Sequence, residues 1–268
     1  MKKEVHIFFT ALMFYTRIPC PKNIDHNPDF LNKASRYFPL IGWFVGGLSG
    51  VVFWFSSFLI PIEIAVIVAM IASVLITGAF HEDGFADVCD GFGGGWTKEK
   101  ILTIMKDSAI GAYGAIGLFL LLALKYQSLY QLGILTMLAT NVFQNATFGI
   151  LLLFITGHAL SRFAAISIVF THEYSREDAS SKSKPIAQSF SNTEVVGAAF
   201  FGLLPLVVMS FYQIAFLFVL VPVFLARYFL ARYFQKWIDG YTGDCLGATQ
   251  QVCEVIFYLS IIVLWKFI

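Results

Sequence analysis

The stretch F-P-L-I-G-W-F-V-G-G-L-S-G-V-V-F-W-F-S-S-F-L-I, residues 38–60, contains no charged side chain. That is longer than the roughly 20 apolar residues an α-helix needs to cross a hydrocarbon core. A helix is the form such a run can take in lipid, because it satisfies its backbone hydrogen bonds internally. The alternation of polar and apolar residues that marks an outer-membrane barrel is missing. Working outward, comparable runs cover 62–80, 109–131, 146–170, 194–211, 213–231 and 246–266. The chain therefore reads as an all-α integral membrane protein, a polytopic bundle of about seven transmembrane helices. Composition agrees: 58% of residues are hydrophobic and 13% charged, about half the charged fraction of an ordinary soluble domain. With no internal repeat and no Pro/Ser-rich linker, residues 1–268 are expected to form a single membrane domain.

Charge placement sets the expected sidedness. Basic residues gather before the first span (Lys22, Lys33, Arg36), at 81–108 (Lys98, Lys100, Lys106), at 171–193 (Arg176, Lys182, Lys184) and at 227–244 (Arg227, Arg232, Lys236). The alternate connections are nearly uncharged, Lys125 excepted. Residues 131–170 could hold one span or two; one span places all four basic segments on the same side, which the positive-inside rule makes cytoplasmic. At the N-terminus, Lys2 and Lys3 precede an apolar stretch, but Arg17 and Pro19 stand where a signal-peptide cleavage site would be. A retained segment, amphipathic or re-entrant, is expected there. A net charge of +1 with scattered lysines gives no reason to expect nucleic acid as a partner. Cys20, Cys89, Cys245 and Cys253 form no C-x-x-C pair, so a disulfide framework is not expected. Gly42, Gly46 and Gly50, four residues apart, suit close approach of a neighbouring helix.

Chemistry enters with H-E-D-G-F-A-D-V-C-D-G, residues 81–91, at the mouth of the second span. If the stretch is helical, Asp83, Asp87 and Asp90 stand at i, i+4 and i+7 on one stripe, and their mutual repulsion calls for a cation. Oxygen-only ligands suit Mg²⁺ or Mn²⁺, and Mg²⁺ usually shares its shell with water and substrate phosphates. A phosphate-handling membrane enzyme is the expectation. A second cluster, D-G-Y-T-G-D-C-L-G-A at 239–248, is followed by Glu254. Gly240, Gly243 and Gly247 could bring backbone amides to a phosphate, and Asp244 could ligate a metal or position a hydroxyl nucleophile. Glu254 lies deeper, where an ionisable group is either functional or a hydrogen-bonded structural carboxylate. Between the clusters come Gly93, Gly94 and Gly95, which permit close approach of a ligand, and then M-K-D-S-A-I-G-A-Y-G at 105–114. There Lys106 suits a pyrophosphate oxygen or a role as interfacial anchor. Arg162, within the fourth span, needs a carboxylate or a phosphate, and His158 one turn earlier could share that role. His6, His26 and His172 are read as surface or core groups.

These stretches, with T-R-I-P at 16–19 and R-Y-F-P-L-I-G at 36–42, closely resemble the cobalamin synthase family, the adenosylcobinamide-GDP ribazoletransferases, over nearly the whole chain. Two positions depart from that family: Ala109 replaces a usual arginine, and Asp239 a usual glycine. The resemblance implies phosphoryl transfer in which adenosylcobinamide-GDP reacts with α-ribazole or its 5′-phosphate and releases GMP. Carried onto this sequence, it implies Asp83, Asp87 and Asp90 as ligands of Mg²⁺, with Lys106 and Arg162 on phosphates. Asp107, Lys184 and Gly243 complete the expected substrate-binding set, and Asp244 or His81 is the expected base. The expected partners are these small molecules and the lipid bilayer of a bacterial cytoplasmic (inner) membrane, with the site facing the cytoplasm and a homo-oligomer left open. A CDP-alcohol phosphotransferase is the nearest rival, since Asp87 to Gly91 read D-x-x-D-G, but the alanine-arginine pair and later paired aspartates of that family are missing. A cation transporter is a third reading, disfavoured because the acids sit at one membrane face rather than the midplane.

Overall fold

The computed structural model describes residues 2–21, 28–138, 142–143, 145–175 and 190–268. Among these the regular structure is helical: α1 (Lys2–Tyr15), α2 (Pro28–Ala34), α3 (Phe38–Ser56), α4 (Ile62–Thr77), α5 (Phe80–Gly94), α6 (Lys98–Ile104), α7 (Ala112–Leu138), α8 (Ala146–Val169), α9 (Asn192–Ser210), α10 (Leu220–Ile238) and α11 (Gly243–Trp265). Six segments are long and apolar enough to cross a membrane, and a seventh arises if α4 and α5 are taken together across their 89° bend. The chain is a polytopic helical membrane protein. Its outer faces are apolar in the helical rhythm, with Ile64, Ile67, Ile71 and Leu75 exposed along α4 and Ile116, Phe119, Leu120 and Leu124 along α7, as lipid contact requires.

Three expectations change in detail. The region 81–108, read as a connecting segment, is mostly helix, forming α5 and α6. α7 runs on to Leu138, so 131–170 holds the end of one span and a single further span, α8. Arg227, Arg232 and Lys236 lie within α10 rather than in a loop. Arg227 there donates from Nε to the Ser167 hydroxyl (2.9 Å) and from Nη2 to the Ser167 carbonyl (2.8 Å) and Thr171 Oγ1, so a cation closes the C-terminus of α8.

α8 is the buried axis of the bundle. The glycine stripe on α3 places it: a Cβ at Gly42 would come within 2.5 Å of the His158 carbonyl oxygen, and one at Gly46 within 2.5 Å of that of Phe154. Only glycine permits such backbone contact. The packing reading of Gly42, Gly46 and Gly50 is the one the structure supports. α1 covers this end of α3 through buried Ile7, Ala11, Leu12 and Tyr15. It is tethered by Arg36, whose Nη2 lies 2.7 Å from Glu4 and whose Nη1 lies 3.4 Å from Glu194 on α9.

Lys125 is not in a connection; it sits inside α7, 3% exposed, with Nζ 2.8 Å from Glu254 Oε1 on α11. Glu254, 0% exposed, also accepts hydrogen bonds from Gln250 Nε2 (2.7 Å) and Tyr258 OH (3.3 Å) and faces His158 Nε2 at 3.5 Å. Among the alternatives raised for Glu254, its observed partners are those of a structural carboxylate.

Two outcomes follow for detergent-solubilised protein in thermal unfolding. Gly46→Ala lowers stability by about 1–3 kcal/mol through overpacking. Gly47→Ala, whose Cβ meets only the Ile155 side chain at 3.8 Å, stays within about 0.5 kcal/mol of wild type; equal effects at the two positions would refute the α3–α8 contact. Lys125→Met leaves a buried carboxylate unpaired and costs about 3–5 kcal/mol, most of which Glu254→Gln in the same chain restores. No recovery in the double variant would show that the two residues are not paired.

Candidate active site

α4 ends where two successive residues take left-handed backbone angles, Gly78 (φ 67°) and Ala79 (φ 58°). Arg17, from the T-R-I-P segment, packs against Gly78, and its backbone N–H donates to the Ile76 carbonyl at 2.7 Å. The chain thus turns sharply, and α5 runs at 89° to α4. α5 buries His81, Glu82, Gly84, Ala86 and Gly91 and leaves Asp83 exposed. Its buried face meets the first turns of α11: a Cβ at Gly84 would lie 3.0 Å from Asp244 Cα, and one at Gly247 would lie 3.3 Å from His81 Cα. Two glycines let the acidic motifs, far apart in sequence, touch backbone to backbone. Asp83 and Asp87 flank the crossing on α5, and Asp244 stands at it on α11.

Gly243 and Asp244 open α11, whose cap is Thr242, accepting from Cys245 N–H at 3.3 Å; its hydroxyl also donates to Asp244 Oδ2 at 3.3 Å. The 243–247 segment is therefore a helix start, whose free backbone amides remain available to an anion. The preceding turn explains one family departure: Asp239 sits at φ 57°, a left-handed conformation that glycine adopts at least cost. Its carboxylate lies 3.2 Å from Lys98 Nζ on α6. Tyr241 N–H donates to the Glu173 carbonyl (3.0 Å) and Ser175 N–H to the Tyr241 carbonyl (2.9 Å), which brings the chain after α8 alongside the crossing. Lys184 lies outside the described residues.

Asp90 is committed differently from Asp83 and Asp87. Its Oδ2 accepts from Gly111 N–H at 2.7 Å and its Oδ1 from Gly114 N–H at 2.8 Å. A carboxylate at the first turn of α7 satisfies otherwise orphaned amides and meets the positive end of the helix dipole. The glycines at 91–95 serve packing: Met105 lies against Gly91, the Tyr113 ring against Gly93 and Ile101 against Gly95. α6 is held close to α5 this way. The following turn presents Lys106 and Asp107, and Asp107 Oδ1 accepts from Ala109 N–H at 3.1 Å, an Asx turn. Ala109 is exposed in that turn.

Inward of the crossing the helices carry polar groups. Gln251 Nε2 donates to Glu82 Oε1 (2.9 Å), and Gln250 Nε2 to Ser161 Oγ (3.0 Å). Arg162, 1% exposed, bonds from Nη1 to the His158 carbonyl and to His158 Nδ1, both at 3.0 Å. Its guanidinium lies 5.7 Å from the centre of the Phe38 ring, which also stacks on the His81 imidazole at 5.7 Å and packs against Tyr15 at 4.2 Å between centroids. Arg162 and His81 are thus interior groups, whereas Asp83 and Asp244 belong to the rim. Sequence reading gave no role to Gln250 and Gln251, named Glu82 only as one of the motif's carboxylates and placed Lys125 in a connection. The signal was available, since a lysine and two glutamines inside apolar runs need partners.

As a metal site, the donor set is carboxylate oxygen, which suits a hard divalent cation. Among the described residues no three His, Cys, Asp or Glu side chains form a closed metal-binding group. An open arrangement fits Mg²⁺ bound by one or two carboxylates, with substrate phosphate completing the shell.

No solved structure matches this chain. Curated relatives named adenosylcobinamide-GDP ribazoletransferase do: from Shewanella amazonensis, 46% identical over 99% of this chain and 98% of the relative; from Shewanella frigidimarina, 44% over 97% and 95%; and from Shewanella oneidensis, 42% over 97% and 95%. The profile of one family, described as cobalamin-5-phosphate synthase, matches residues 7–262. With the acidic motifs at 81–91 and 239–248 inside that match, the chain belongs to the cobalamin-5-phosphate synthase family.

Proposed function

We propose that the chain is an adenosylcobinamide-GDP ribazoletransferase that works at the cytoplasmic face of the bacterial inner membrane. It joins adenosylcobinamide-GDP to α-ribazole or its 5′-phosphate and releases GMP. The observation that carries this reading is the backbone contact of Gly84 with Asp244, which brings the two acidic motifs side by side. Relatives covering almost the whole chain carry the name of this activity.

In the reaction a ribose hydroxyl attacks a pyrophosphate phosphorus, the bond to the GMP oxygen breaks, and negative charge grows on the phosphate oxygens. Asp83 and Asp87 would hold Mg²⁺, with Asp90 bracing the same helix. When bound, the ion would neutralise phosphate charge and orient the pyrophosphate. Lys106, on the turn between α6 and α7, adds a cation for a phosphate oxygen. Asp244, at the rim, is placed better than buried His81 to receive the hydroxyl proton. Its effectiveness as a weak base rests on positioning. Basic residues at the same end, Lys98, Lys100, Lys106 and Lys236, support cytoplasmic orientation by the positive-inside rule.

Purified protein in detergent, given adenosylcobinamide-GDP, α-ribazole and Mg²⁺, should release GMP together with cobalamin. EDTA and Asp87→Ala should each abolish release. CMP from CDP-alcohol substrates with no GMP would overturn the proposal in favour of the rival transferase. Asp90→Ala should also lower the thermal midpoint, because the α7 cap is worth about 1–2 kcal/mol, and added Mg²⁺ should not restore it.

A further inference from the structure

Five side-chain atoms in the interior layer lack a hydrogen-bond partner: His81 Nε2, Glu82 Oε2, Arg162 Nε, Gln250 Oε1 and Gln251 Oε1. All five residues are at least nine-tenths buried. Buried polar groups are ordinarily paired, and a group left unpaired costs free energy comparable to a lost hydrogen bond. Other unpaired buried atoms, Asn32 Oδ1, Arg36 Nε, Ser49 Oγ, Thr136 Oγ1 and Trp237 Nε1, are dispersed among the described residues, whereas these five lie on α5, α8 and α11, with α11 packed against both of the others. Gln251 is bonded to Glu82 across α11 and α5, Gln250 to Ser161 across α11 and α8, and Phe38 lies between His81 and Arg162. Glu82 is also close enough to act electrostatically on Arg162. The group begins beside the crossing, since Gly247 touches His81, and Gln251 follows one turn further in, about 6 Å along α11.

The unpaired set identifies the missing partner. Glu82 Oε2, Gln250 Oε1 and Gln251 Oε1 only accept, Arg162 Nε–H only donates, and His81 Nε2 does either. Three fixed acceptors against one fixed donor require a ligand that brings hydrogens. A phosphate oxygen does not, and the Glu82 carboxylate would repel it. Neutral hydroxyls both donate and accept, so they match the set. Resting on the proposed reaction, the choice narrows further. If the 5′-phosphorylated nucleoside is also an acceptor, the attacking hydroxyl is 2′ or 3′, and its vicinal neighbour has to be held nearby. The corrin ring is too large to enter between helices in backbone contact.

We propose that Glu82, Gln250, Gln251 and the Nε–H of Arg162 form a hydroxyl-binding subsite for the ribose diol of the incoming nucleoside, directly beneath the α5–α11 crossing. Arg162 thereby serves the nucleoside rather than a phosphate. In this structure the side chains of the subsite are buried.

The test is steady-state kinetics on wild type, Glu82→Gln and Gln251→Leu with α-ribazole and its 2′-deoxy and 3′-deoxy analogues. One analogue lacks the nucleophile and gives no GMP. The other lacks only the held hydroxyl, and with wild type its KM should exceed that of α-ribazole about tenfold. In Gln251→Leu, KM for α-ribazole should rise by a similar factor while KM for adenosylcobinamide-GDP stays put, and the penalty for the deoxy analogue should shrink towards unity. An undiminished deoxy penalty in both variants, or a rise confined to KM for adenosylcobinamide-GDP, would overturn the subsite. Glu82→Gln keeps the shape of the side chain, so it answers the question if Gln251→Leu fails to fold. Absence of GMP from wild type with any acceptor would instead refute the proposed reaction itself.

Discussion

Backbone contact between α5 and α11, permitted by Gly84 and Gly247, is the constraint on which the site depends. α5 is too short to stand alone, since isolated helices of this length are marginal in water. It persists because one face is pressed against α11 and its last aspartate caps α7. The crossing brings two motifs together and places ionisable groups at the bundle's edge, where water and a charged substrate can reach them. A Cβ at Gly84 would meet the facing backbone at 3.0 Å and one at Gly247 at 3.2 Å, so any side chain there presses directly on the neighbouring helix.

The interior beneath the crossing obeys a second constraint. Charged groups in a low-dielectric span are costly unless paired. Lys125 and Glu254 answer each other directly, and Gln250 and Tyr258 share the remaining capacity of the carboxylate. Polarity along α11 therefore runs from Asp244 and Gln251, which meet α5, through Glu254, which meets α7 and α8, to Tyr258 against α8. The outer part of that stripe is open chemistry at the rim, and the inner part is closed scaffold. The unpaired atoms lie where one gives way to the other.

Much of the fold was legible from sequence because lipid imposes a simple rule: long uncharged runs become helices. The glycine repeat on α3 was legible for a related reason, as a spacing of four residues lines up one face of a helix. Other features were hidden by degeneracy of meaning. Glycines near aspartates can cradle a phosphate or admit a neighbouring helix, and Gly91, Gly93 and Gly95 do the latter. Asp90 shares its stripe with Asp83 and Asp87, but only the three-dimensional position of Gly111 and Gly114 reveals that it caps α7. The sharp turn at Gly78 and Ala79 could not be read because alanine seldom takes a left-handed angle. Lys125 was misplaced because charge near the middle of an apolar run is ambiguous until its partner is found. Asp239 became intelligible once its backbone angle was known.

The crossing itself can be measured directly. With a Cβ at Gly247 only 3.3 Å from His81 Cα, cysteines introduced by His81→Cys and Gly247→Cys fall within the reach of a disulfide, whose Cβ atoms are separated by about 3.5–4.5 Å. Mild oxidation of that double variant in membranes, followed by proteolysis and mass spectrometry, should yield peptides joined through positions 81 and 247 within one chain. Recovery of both peptides unlinked, with the protein folded and the oxidant active, would contradict the juxtaposition of the two motifs on which the account rests.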